Sequence, residues 1–381
     1  PLALNDYLLL SVLDDSTKHN GFAKVKLSKA NALEIRSSGP YLYNIPIMSP
    51  RPIWPPKKAR KAKVYVLQRQ SCVEEPNVFV TSDFNVLLRI SDINSHKDYK
   101  WHSSQLLRWS TDDKNTLQGI LFVPDELDSS RKYPIIFNYY EQRSHEIFQF
   151  NDPSFLSVNL NIAWYLNRGY VVCVPDIIPC RGATGPSALN SVVSVANMLT
   201  NKYKWIDKNR MGLQGHSHGG YITNFIATHC DLFAAAQSGA GYSDFFSGYG
   251  QFGFGASLQW MQEIGQNNLG TTPWKNPQVY IDNSCIFSAD KVKTPLLILQ
   301  NEGDDVVRFP QGLELFLALR REEKPVWMLN YNNEGHSVWK PDNVTDFLIR
   351  QQQFFDHYLK GKPAPLWMVE GIPLKFKAIK S

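Results

Sequence analysis

The pentapeptide at residues 215–219 constrains this chain more than any other feature of its sequence. It reads Gly-His-Ser-His-Gly, a G-x-S-x-G pattern, and Gly220 and Tyr221 follow directly. In this pattern the serine occupies a sharp turn between a strand and a helix, which leaves its hydroxyl exposed at the top of a sheet. The turn is too tight for side chains at the flanking positions, so glycines are needed there.

The residues on either side of the pentapeptide match the strand and the helix that such a turn requires. Residues 210–214 form a short, partly apolar run, and residues 221–227 carry apolar side chains at helical spacing. The sequence therefore predicts that Ser217 is a nucleophile. The alternative is a glycine-rich loop with a solvated serine, which the flanking strand and helix disfavour.

The composition is that of an ordinary globular protein of 381 residues, of which 43% are hydrophobic and 20% are charged. Such a chain buries a large core without disulfides or a structural metal, and its length suggests two domains or one large domain with an appendage. The net charge of +5 is mild and gives no argument for nucleic acid as a partner. The basic cluster at residues 57–63 is expected to be a solvated loop.

Neither the apolar segments nor the cysteines indicate a special environment. No apolar run approaches the roughly 18 residues that a membrane span needs, so no span is expected in this chain. The cysteines show no metal-ligand or redox spacing, so they leave the compartment open. They are Cys72, Cys173, Cys180, Cys230 and Cys285.

The first hundred residues predict a β-rich region. Short apolar or alternating runs are divided there by polar turns, and no helical periodicity precedes about residue 110. The predicted strands cover residues 6–13, 22–27, 63–68, 77–81 and 85–90. We therefore expect residues 1–105 to form a β-rich region of their own.

Beyond residue 106 the pattern changes to alternating strands and helices, which predicts an α/β domain over residues 106–381. Near-continuous apolar runs predict strands that are buried on both faces of a mostly parallel sheet, with helices on either side. The predicted strands cover residues 133–140, 170–175, 211–214, 234–240, 295–300 and 325–331. The predicted helices cover residues 187–201, 218–228, 311–321 and 344–359.

The size of the β-rich region suggests that it is incomplete. Propeller blades take roughly 40–50 residues each, so residues 1–105 would supply about two blades of a ring. An open ring would expose sheet edges. We therefore expect a partial β-propeller in a chain that is the C-terminal part of a longer protein, and the alternative is a small self-contained β domain.

A serine nucleophile needs a base to take its proton and an acid to orient that base. In hydrolases with this turn, the order along the chain is serine, acid, histidine. His336 follows the predicted strand 325–331, at the carboxyl end where a base should lie, whereas His357 falls within a predicted helix. The sequence therefore predicts His336 as the base.

The acid should likewise follow the preceding strand, at residues 295–300. The loop after that strand contains three candidates, Glu302, Asp304 and Asp305. Position at the edge of the sheet does not choose between the two aspartates.

Two parts of the chain resemble the prolyl oligopeptidase family of serine peptidases. Residues 212–221 contain the family's G-x-S-x-G-G-Y pattern, and the β-rich start resembles the closing blades of its propeller. The resemblance covers about residues 106–373, and residues 354–361 are similar to bacterial members with a dipeptidyl-peptidase-like architecture. The tail is similar at Thr294-Pro295-Leu296-Leu297-Ile298, Asp304-Asp305-Val306-Val307, Gln311-Gly312, Lys324-Pro325-Val326 and Glu334-Gly335-His336.

The resemblance implies an α/β-hydrolase fold and a peptidase that hydrolyses short peptides after proline or small residues, without a cofactor. It places the catalytic aspartate at Asp304. It also implies an oxyanion hole formed by the backbone N–H of His218 and the hydroxyl of Tyr140. Tyr139 is the rival, but as the alternate residue of a strand it should face the other way. The family further allows a homodimer and favours a periplasmic or extracytoplasmic location.

The chain also departs from the family pattern. Gln300-Asn301 stands where many members have His-Gly, and Val306 stands where an Asn or Arg often holds a substrate carbonyl. An apolar pocket for a proline ring would fall within residues 242–249. Its candidate walls are Tyr242, Phe245 and Tyr249, although an aromatic cluster is more often core than pocket.

Three other interpretations remain open. His216, His218 and His229 show a spacing found in metal sites, but no carboxylate or cysteine cluster joins them, so no metal is predicted. A carboxylesterase or other acyl hydrolase shares the fold. A non-catalytic protein that binds its partners through a propeller is the third, and reaction of Ser217 with a fluorophosphonate distinguishes it from an enzyme.

Overall fold

The β-rich region consists of two small antiparallel sheets. Its strands are β1 (Tyr7–Leu13), β2 (Asn20–Lys26), β3 (Leu33–Gly39), β4 (Lys57–Lys58), β5 (Tyr65–Ser71), β6 (Glu74–Thr81) and β7 (Leu88–Arg89). In the computed structural model, which describes residues 6–29, 32–43, 55–111, 115–154, 159–253 and 255–371, β1 to β3 form one sheet and β4 to β7 the other. Phe22, Leu67 and Phe79 lie in one core that the two sheets share.

The strand predicted at residues 85–90 is wrong except for its last part, Leu88–Arg89. The carboxylate Oδ1 of Asp83 accepts the backbone N–H groups of Asn85 at 2.9 Å and of Val86 at 3.5 Å. A side chain that takes up these donors forms a turn in place of a ladder. The other strands predicted in this region are present, with bounds that differ by a few residues.

The rest of the chain is built around one eight-stranded sheet. The strands after β7 are β8 (His102–Ser110), β9 (Thr116–Pro124), β10 (Tyr133–Asn138), β11 (Val171–Pro175), β12 (Ile206–His216), β13 (Ala235–Gly239), β14 (Phe252–Gly253), β15 (Ala256–Ser257), β16 (Leu296–Leu299) and β17 (Val326–Leu329). Their order in the sheet is β17-β16-β13-β12-β10-β11-β9-β8, and β14 and β15 form a separate hairpin. Only β9 runs antiparallel to its neighbours within this sheet.

Helices cover both faces of this sheet. They are α1 (Ile162–Leu166), α2 (Thr184–Lys202), α3 (His218–His229), α4 (Phe245–Tyr249), α5 (Gln259–Glu263), α6 (Pro277–Asn283), α7 (Phe309–Arg321), α8 (Pro341–Lys360) and α9 (Leu366–Val369). Short 3₁₀ turns occur at Leu27–Lys29, Ser95–Asp98, Ser144–Glu146 and Cys285–Lys291.

Two hydrophobic cores form, one on each face of the sheet. Side chains of α2, α3 and α7 share one core with Ile135 and Phe137 of β10, and side chains of α1 and α8 share the other with Ile136. Successive residues of a strand point to opposite faces, so a strand covered on both sides is apolar throughout. This explains the near-continuous apolar runs and confirms the predicted α/β class.

The large sheet begins earlier than the sequence pattern indicates. The predicted division between residues 105 and 106 falls inside β8, which pairs with β9 from His102 to Ser110. Within the part of the chain that the structure describes, no helix is both long and apolar enough to cross a membrane.

Candidate active site

Ser217 occupies the turn between β12 and α3. The strand ends at His216, and the helix begins at His218. Ser217 has φ 59° and ψ −118°, a left-handed backbone conformation that residues with side chains rarely adopt. Holding a residue there costs on the order of 1–3 kcal/mol, and such strain is common at functional sites.

Glycines make this turn possible because the surrounding backbone leaves no space for a Cβ atom. A Cβ at Gly215 would lie 2.2 Å from the carbonyl oxygen of Gly219, and one at Gly220 would lie 2.2 Å from that of Gly239. The backbone N–H of Ser217 also donates to the Gly239 carbonyl at 2.7 Å, which ties the turn to β13. The glycines of the motif are therefore required by packing.

The side chains of Ser217, His336 and Asp304 lie in one hydrogen-bonded row. His336 Nε2 is 2.8 Å from Ser217 Oγ, and His336 Nδ1 is 2.9 Å from Asp304 Oδ2. The three residues follow the carboxyl ends of β12, β17 and β16, at the same edge of the sheet. The fold thus brings together side chains from three separate loops, whereas His357 lies within α8 as predicted.

The Asp304 carboxylate is surrounded by hydrogen-bond donors. It is 1% exposed, and its Oδ1 accepts the backbone N–H groups of Val306 at 2.8 Å and Val307 at 2.9 Å. Gln300 Nε2 donates to Asp304 Oδ2 at 3.2 Å and to the Val307 carbonyl at 2.8 Å. These bonds fix the position of the carboxylate beside His336. Asp305, the adjacent candidate, is exposed.

Asn301, which with Gln300 replaces the His-Gly of many family members, joins the loop that carries Asp304 to the loop that carries His336. Its Nδ2 donates to the carbonyl oxygen of Gly335 at 2.9 Å, and its Oδ1 accepts the N–H of Tyr331 at 3.0 Å. Both partners lie within five residues of His336. Glu302, the remaining acidic candidate, is exposed and accepts a hydrogen bond from Asn330.

Glu334 anchors the histidine loop to the start of α8. Its carboxylate accepts the backbone N–H groups of Trp339 and Lys340, each at 3.0 Å, and Asn343 Nδ2 at 2.7 Å. Burial alone would raise the pKa of Glu334, but these donors outweigh it and hold the pKa below its usual range. Sequence reasoning gave Glu334 no role, although an acid two residues before His336 and near a helix N-terminus is a usable signal.

A cleft of about 240 Å³ opens beside Ser217. Among the described residues that line it, none is a lysine, arginine, aspartate or glutamate. The lining residues are Tyr140, His216, Ser217, His218, Tyr242, Met261, Gln266, Asn267, Val306, Val307, His336 and Ser337.

The two groups predicted to form an oxyanion hole border this cleft. Tyr140 lines it, and its ring packs edge-on against that of His218 with centroids 5.9 Å apart. His218 is the first residue of α3, where backbone N–H groups have no acceptor within the helix. Tyr139 is buried with its hydroxyl 3.0 Å from Thr223 Oγ1, so it points away from the cleft.

The three aromatic residues predicted as pocket walls lie in different environments. Tyr242 lines the cleft, but Phe245 is fully buried and packs against Tyr221 with ring centroids 4.8 Å apart. Tyr249 is also buried, and its hydroxyl donates to Glu263 Oε1 at 2.6 Å. Phe245 and Tyr249 are therefore core residues and not walls of this cleft, because the short helix α4 turns both of them inward.

The segment after the β14–β15 hairpin supplies cleft residues that sequence reasoning missed. Met261 belongs to α5, and Gln266 and Asn267 follow it. Gln266 Nε2 donates to Glu141 Oε1 at 3.1 Å, and this bond connects the segment to the loop after β10. No motif marks these residues in the sequence.

The histidines on either side of Ser217 are uncharged at neutral pH. Burial and the neighbouring His336 lower the pKa of His216 to about 3, and burial lowers the pKa of His218 to about 4. His229 instead stacks on Phe225, with ring centroids 4.0 Å apart. The described ranges contain no group of three or more His, Cys, Asp or Glu side chains arranged to hold a metal ion.

Comparison with known proteins identifies relatives over most of the chain. It is 25% identical over 264 residues to the uncharacterized peptidase YuxL of Bacillus subtilis, a match that covers 66% of this chain and 39% of that protein. It is 27% identical over 295 residues to dipeptidyl-peptidase 5 of Porphyromonas endodontalis, covering 72% of this chain and 39% of the relative. The chain thus spans less than half the length of these two curated relatives.

Solved structures and the family's sequence model agree with these relatives. A putative dipeptidyl aminopeptidase IV from Bacteroides ovatus superposes with a TM-score of 0.74 at 16% identity, over 93% of this chain and 48% of that one. That likeness confirms the α/β-hydrolase fold and includes the β-rich region. The model of the prolyl oligopeptidase family matches residues 156–362, more than half of the 381 residues. The chain therefore belongs to the prolyl oligopeptidase family of peptidases.

Proposed function

We propose that this chain hydrolyses peptide bonds, with Ser217 as nucleophile, His336 as base and Asp304 as the orienting acid. The observation that carries the proposal is the position of His336, 2.8 Å from Ser217 Oγ and 2.9 Å from Asp304 Oδ2. The first distance allows direct proton transfer from the serine to the histidine, and the second is a hydrogen bond that orients the imidazole. The chain order serine, aspartate, histidine is the one found in hydrolases with this turn.

In the first step, Ser217 Oγ attacks the carbonyl carbon of the scissile peptide bond while His336 Nε2 takes the hydroxyl proton. Asp304 accepts the N–H of His336 Nδ1, which fixes the tautomer that leaves Nε2 free to act as base. The same carboxylate stabilises the imidazolium that forms. Its own position is held by the three donors from Val306, Val307 and Gln300.

The attack places negative charge on the carbonyl oxygen, and two donors at the cleft are suited to bind it. These are the backbone N–H of His218 and the hydroxyl of Tyr140. A donor aimed at the developing oxyanion lowers the barrier by about 3–4 kcal/mol. The positive end of α3, directly after the nucleophile, favours the same charge.

The tetrahedral intermediate then breaks down to an acyl-enzyme. His336 gives its proton to the nitrogen of the leaving amine as the C–N bond breaks, and the acyl group stays on Ser217 as an ester. A water molecule next attacks the ester while His336 again acts as base, which releases the carboxylic acid and restores the serine.

For the substrate, we propose short peptides that are cleaved after proline or small residues. The cleft is small, and Met261, Val306 and Val307 give part of it an apolar surface beside Ser217. The name of the relative from Porphyromonas endodontalis, dipeptidyl-peptidase 5, supports peptides as the substrate class. Proline and other small side chains fit a cleft of about 240 Å³.

A fluorophosphonate probe and a peptide panel test this function on the full chain. We expect the probe to label Ser217, and Ser217→Ala to abolish both labelling and peptide cleavage, while Ser130→Ala at an exposed turn changes neither. Xaa-Pro and Xaa-Ala peptides with free and blocked amino termini then define the substrate. Folded protein that the probe does not label would contradict the triad, and turnover of short esters without any peptide would indicate an acyl hydrolase instead.

A further inference from the structure

One part of the cleft wall consists of buried polar side chains that have no hydrogen-bond partner among the described residues. The atoms concerned are both ring nitrogens of His218, the hydroxyl of Tyr242 and Nδ2 of Asn267. The three side chains line the cleft and are only 3%, 4% and 2% exposed. We call them the polar wall. Buried polar groups are nearly always paired, so a wall of this kind points to a ligand that pairs them.

Two members of the polar wall, His218 and Asn267, lie next to each other. The amide of Asn267 lies close enough to the His218 ring to favour the protonated imidazole. Neither ring nitrogen of His218 is hydrogen-bonded to Nδ2 of Asn267. Asn224 Nδ2 donates to the backbone carbonyl of Tyr242 at 3.2 Å and so fixes that residue from behind. This hydrogen bond holds the backbone of Tyr242 in place beside α3.

The polar region continues inward from Tyr242. Gln262 is fully buried, and neither atom of its amide has a partner in the described structure. Tyr242 and Gln262 both pack against Gly248. A Cβ at that position would lie 2.8 Å from Tyr242 Cε1 and 3.0 Å from Gln262 Nε2. A side chain larger than glycine at that position would therefore displace the polar wall.

The polar wall is uncharged at neutral pH. Burial lowers the pKa of His218 to about 4, and burial together with the Asp304 carboxylate raises the pKa of Tyr242 well above its ordinary value. Asn267 carries no charge, and the described residues that line the cleft include no lysine, arginine, aspartate or glutamate. The wall therefore offers hydrogen bonds but no ion pair, which disfavours charged substrate side chains.

The polar wall lies beside the position of the scissile carbonyl. The backbone N–H of His218 is a proposed donor to that carbonyl oxygen, and the ring of the same residue belongs to the wall. A substrate residue whose carbonyl is bound there carries its side chain on the Cα atom, which is bonded directly to the carbonyl carbon. That side chain is therefore the part of the substrate that meets the wall.

We propose that the polar wall binds the side chain of the residue whose carbonyl Ser217 attacks, and that it selects small uncharged side chains which both donate and accept hydrogen bonds. This inference rests on the proposed function. Asparagine, serine and threonine have such side chains. Asn267 Nδ2 donates to a substrate oxygen, while the Tyr242 hydroxyl and the neutral imidazole each donate or accept. An apolar side chain of equal size leaves all of these groups unpaired.

The test uses pairs of substrates that differ in polarity at constant size. We would measure kcat/KM of the full chain on coumarin amides of Ala-Asn against Ala-Leu and of Ala-Thr against Ala-Val, with free and acetylated amino termini. Two neutral hydrogen bonds lead us to expect kcat/KM about tenfold higher for Asn than for Leu, and a few-fold higher for Thr than for Val. Ala-Pro serves as the reference substrate.

Two variants assign the preference to the polar wall. In Asn267→Leu and in Tyr242→Phe we expect the Asn/Leu ratio to fall towards one or below it. Because the ratio is taken within one protein, a general loss of activity cancels. Asn197→Leu makes the same chemical change on the exposed face of α2 and is expected to keep the wild-type ratio.

Each outcome decides the question. A wild-type ratio of one or less in both substrate pairs, or a wild-type ratio that persists in both variants, overturns the proposed subsite. If Ser217 is labelled by the fluorophosphonate and apolar substrates are turned over, the triad stands and only the subsite fails. Protein that is neither labelled nor active on any substrate overturns both proposals.

Discussion

At the turn that carries Ser217, the backbone sets the position of the proposed nucleophile, whereas at the loops that carry Asp304 and His336 side chains set the positions of the proposed acid and base. Around Ser217, carbonyl oxygens stand where glycine Cβ atoms would be. Around the acid and the base, the amides of Gln300 and Asn301 make the connecting hydrogen bonds. A turn packed this tightly accepts no added atom, whereas a loop held by several hydrogen bonds can lose them one at a time. We therefore expect one substitution at the turn to destabilise the protein strongly, and substitutions in the loops to lower activity by graded amounts.

The largest effect is expected from Gly220→Ala. The new methyl group would lie 2.2 Å from the Gly239 carbonyl oxygen, so β13 or α3 must move. We expect the free energy of unfolding to fall by about 3 kcal/mol or more, as measured by chemical denaturation. Gly250→Ala is the matched control, because its Cβ would meet nothing within 4 Å. A Gly220→Ala protein as stable as this control would show that the turn is not limited by packing.

The next largest effect is expected from Asp304→Asn, measured as kcat on a peptide that the wild type cleaves. The amide cannot accept the N–H of His336 Nδ1 as the carboxylate does, so the imidazole takes the wrong tautomer and kcat should fall about 10⁴-fold. Asp305→Asn is the matched control on the exposed neighbour. A larger loss in Asp305→Asn than in Asp304→Asn would exchange the roles assigned to these aspartates, and equal losses would contradict the assignment of Asp304 alone.

A smaller loss is expected from Tyr140→Phe, which removes one hydroxyl at the cleft. If that hydroxyl binds the oxyanion, kcat should fall about 10²- to 10³-fold with little change in KM. Tyr139→Phe removes a hydroxyl from the adjacent residue that contacts Thr223 in the core. We expect this control to lower stability and not kcat, and the reverse pattern would make Tyr139 the oxyanion donor.

The smallest effect is expected from Gln300→Leu, which removes one of the three donors to Asp304 while the backbone N–H groups of Val306 and Val307 remain. We expect kcat to fall about tenfold with KM near the wild-type value, because a hydrogen bond to a charged group contributes about 1.5–3 kcal/mol. Gln300→His supplies another N–H donor and should restore part of kcat. Equal kcat in both variants would leave Gln300 with a packing role only.

The three triad candidates could be predicted because each is marked by a local motif or by its order along the chain relative to the predicted strands. Ser217 lies in a motif, and His336 lies where a predicted strand ends. The choice of Asp304 over Asp305 depended on the family resemblance, because the two residues differ in which way their side chains point. The side chain of Asp304 is buried, with 1% exposed, whereas Asp305 is on the surface. Which way a loop side chain points depends on hydrogen bonds that form only in the folded protein.

The walls of the cleft could not be predicted, because they depend on tertiary packing. Helix α4 has five residues, too few for periodicity to show which side faces inward, and Phe245 and Tyr249 lie in the core. Asn267 reaches the cleft from a segment with no regular pattern.

The first strand of the large sheet could not be recognised from the sequence for a different physical reason. Strand β8 lies at the edge and alternates buried and exposed residues along most of its length. A half-buried edge strand has the same pattern as the strands of the β-rich region, so the boundary predicted at residues 105/106 falls inside it.

The backbone of Ser217 has a consequence for how this protein evolves. Glycine adopts a φ of 59° freely, whereas serine is strained there. The replacement Ser217→Gly would therefore relieve the strain in the turn while it removes the proposed nucleophile. At this position, the residue that the proposed chemistry needs is not the residue that the fold would favour.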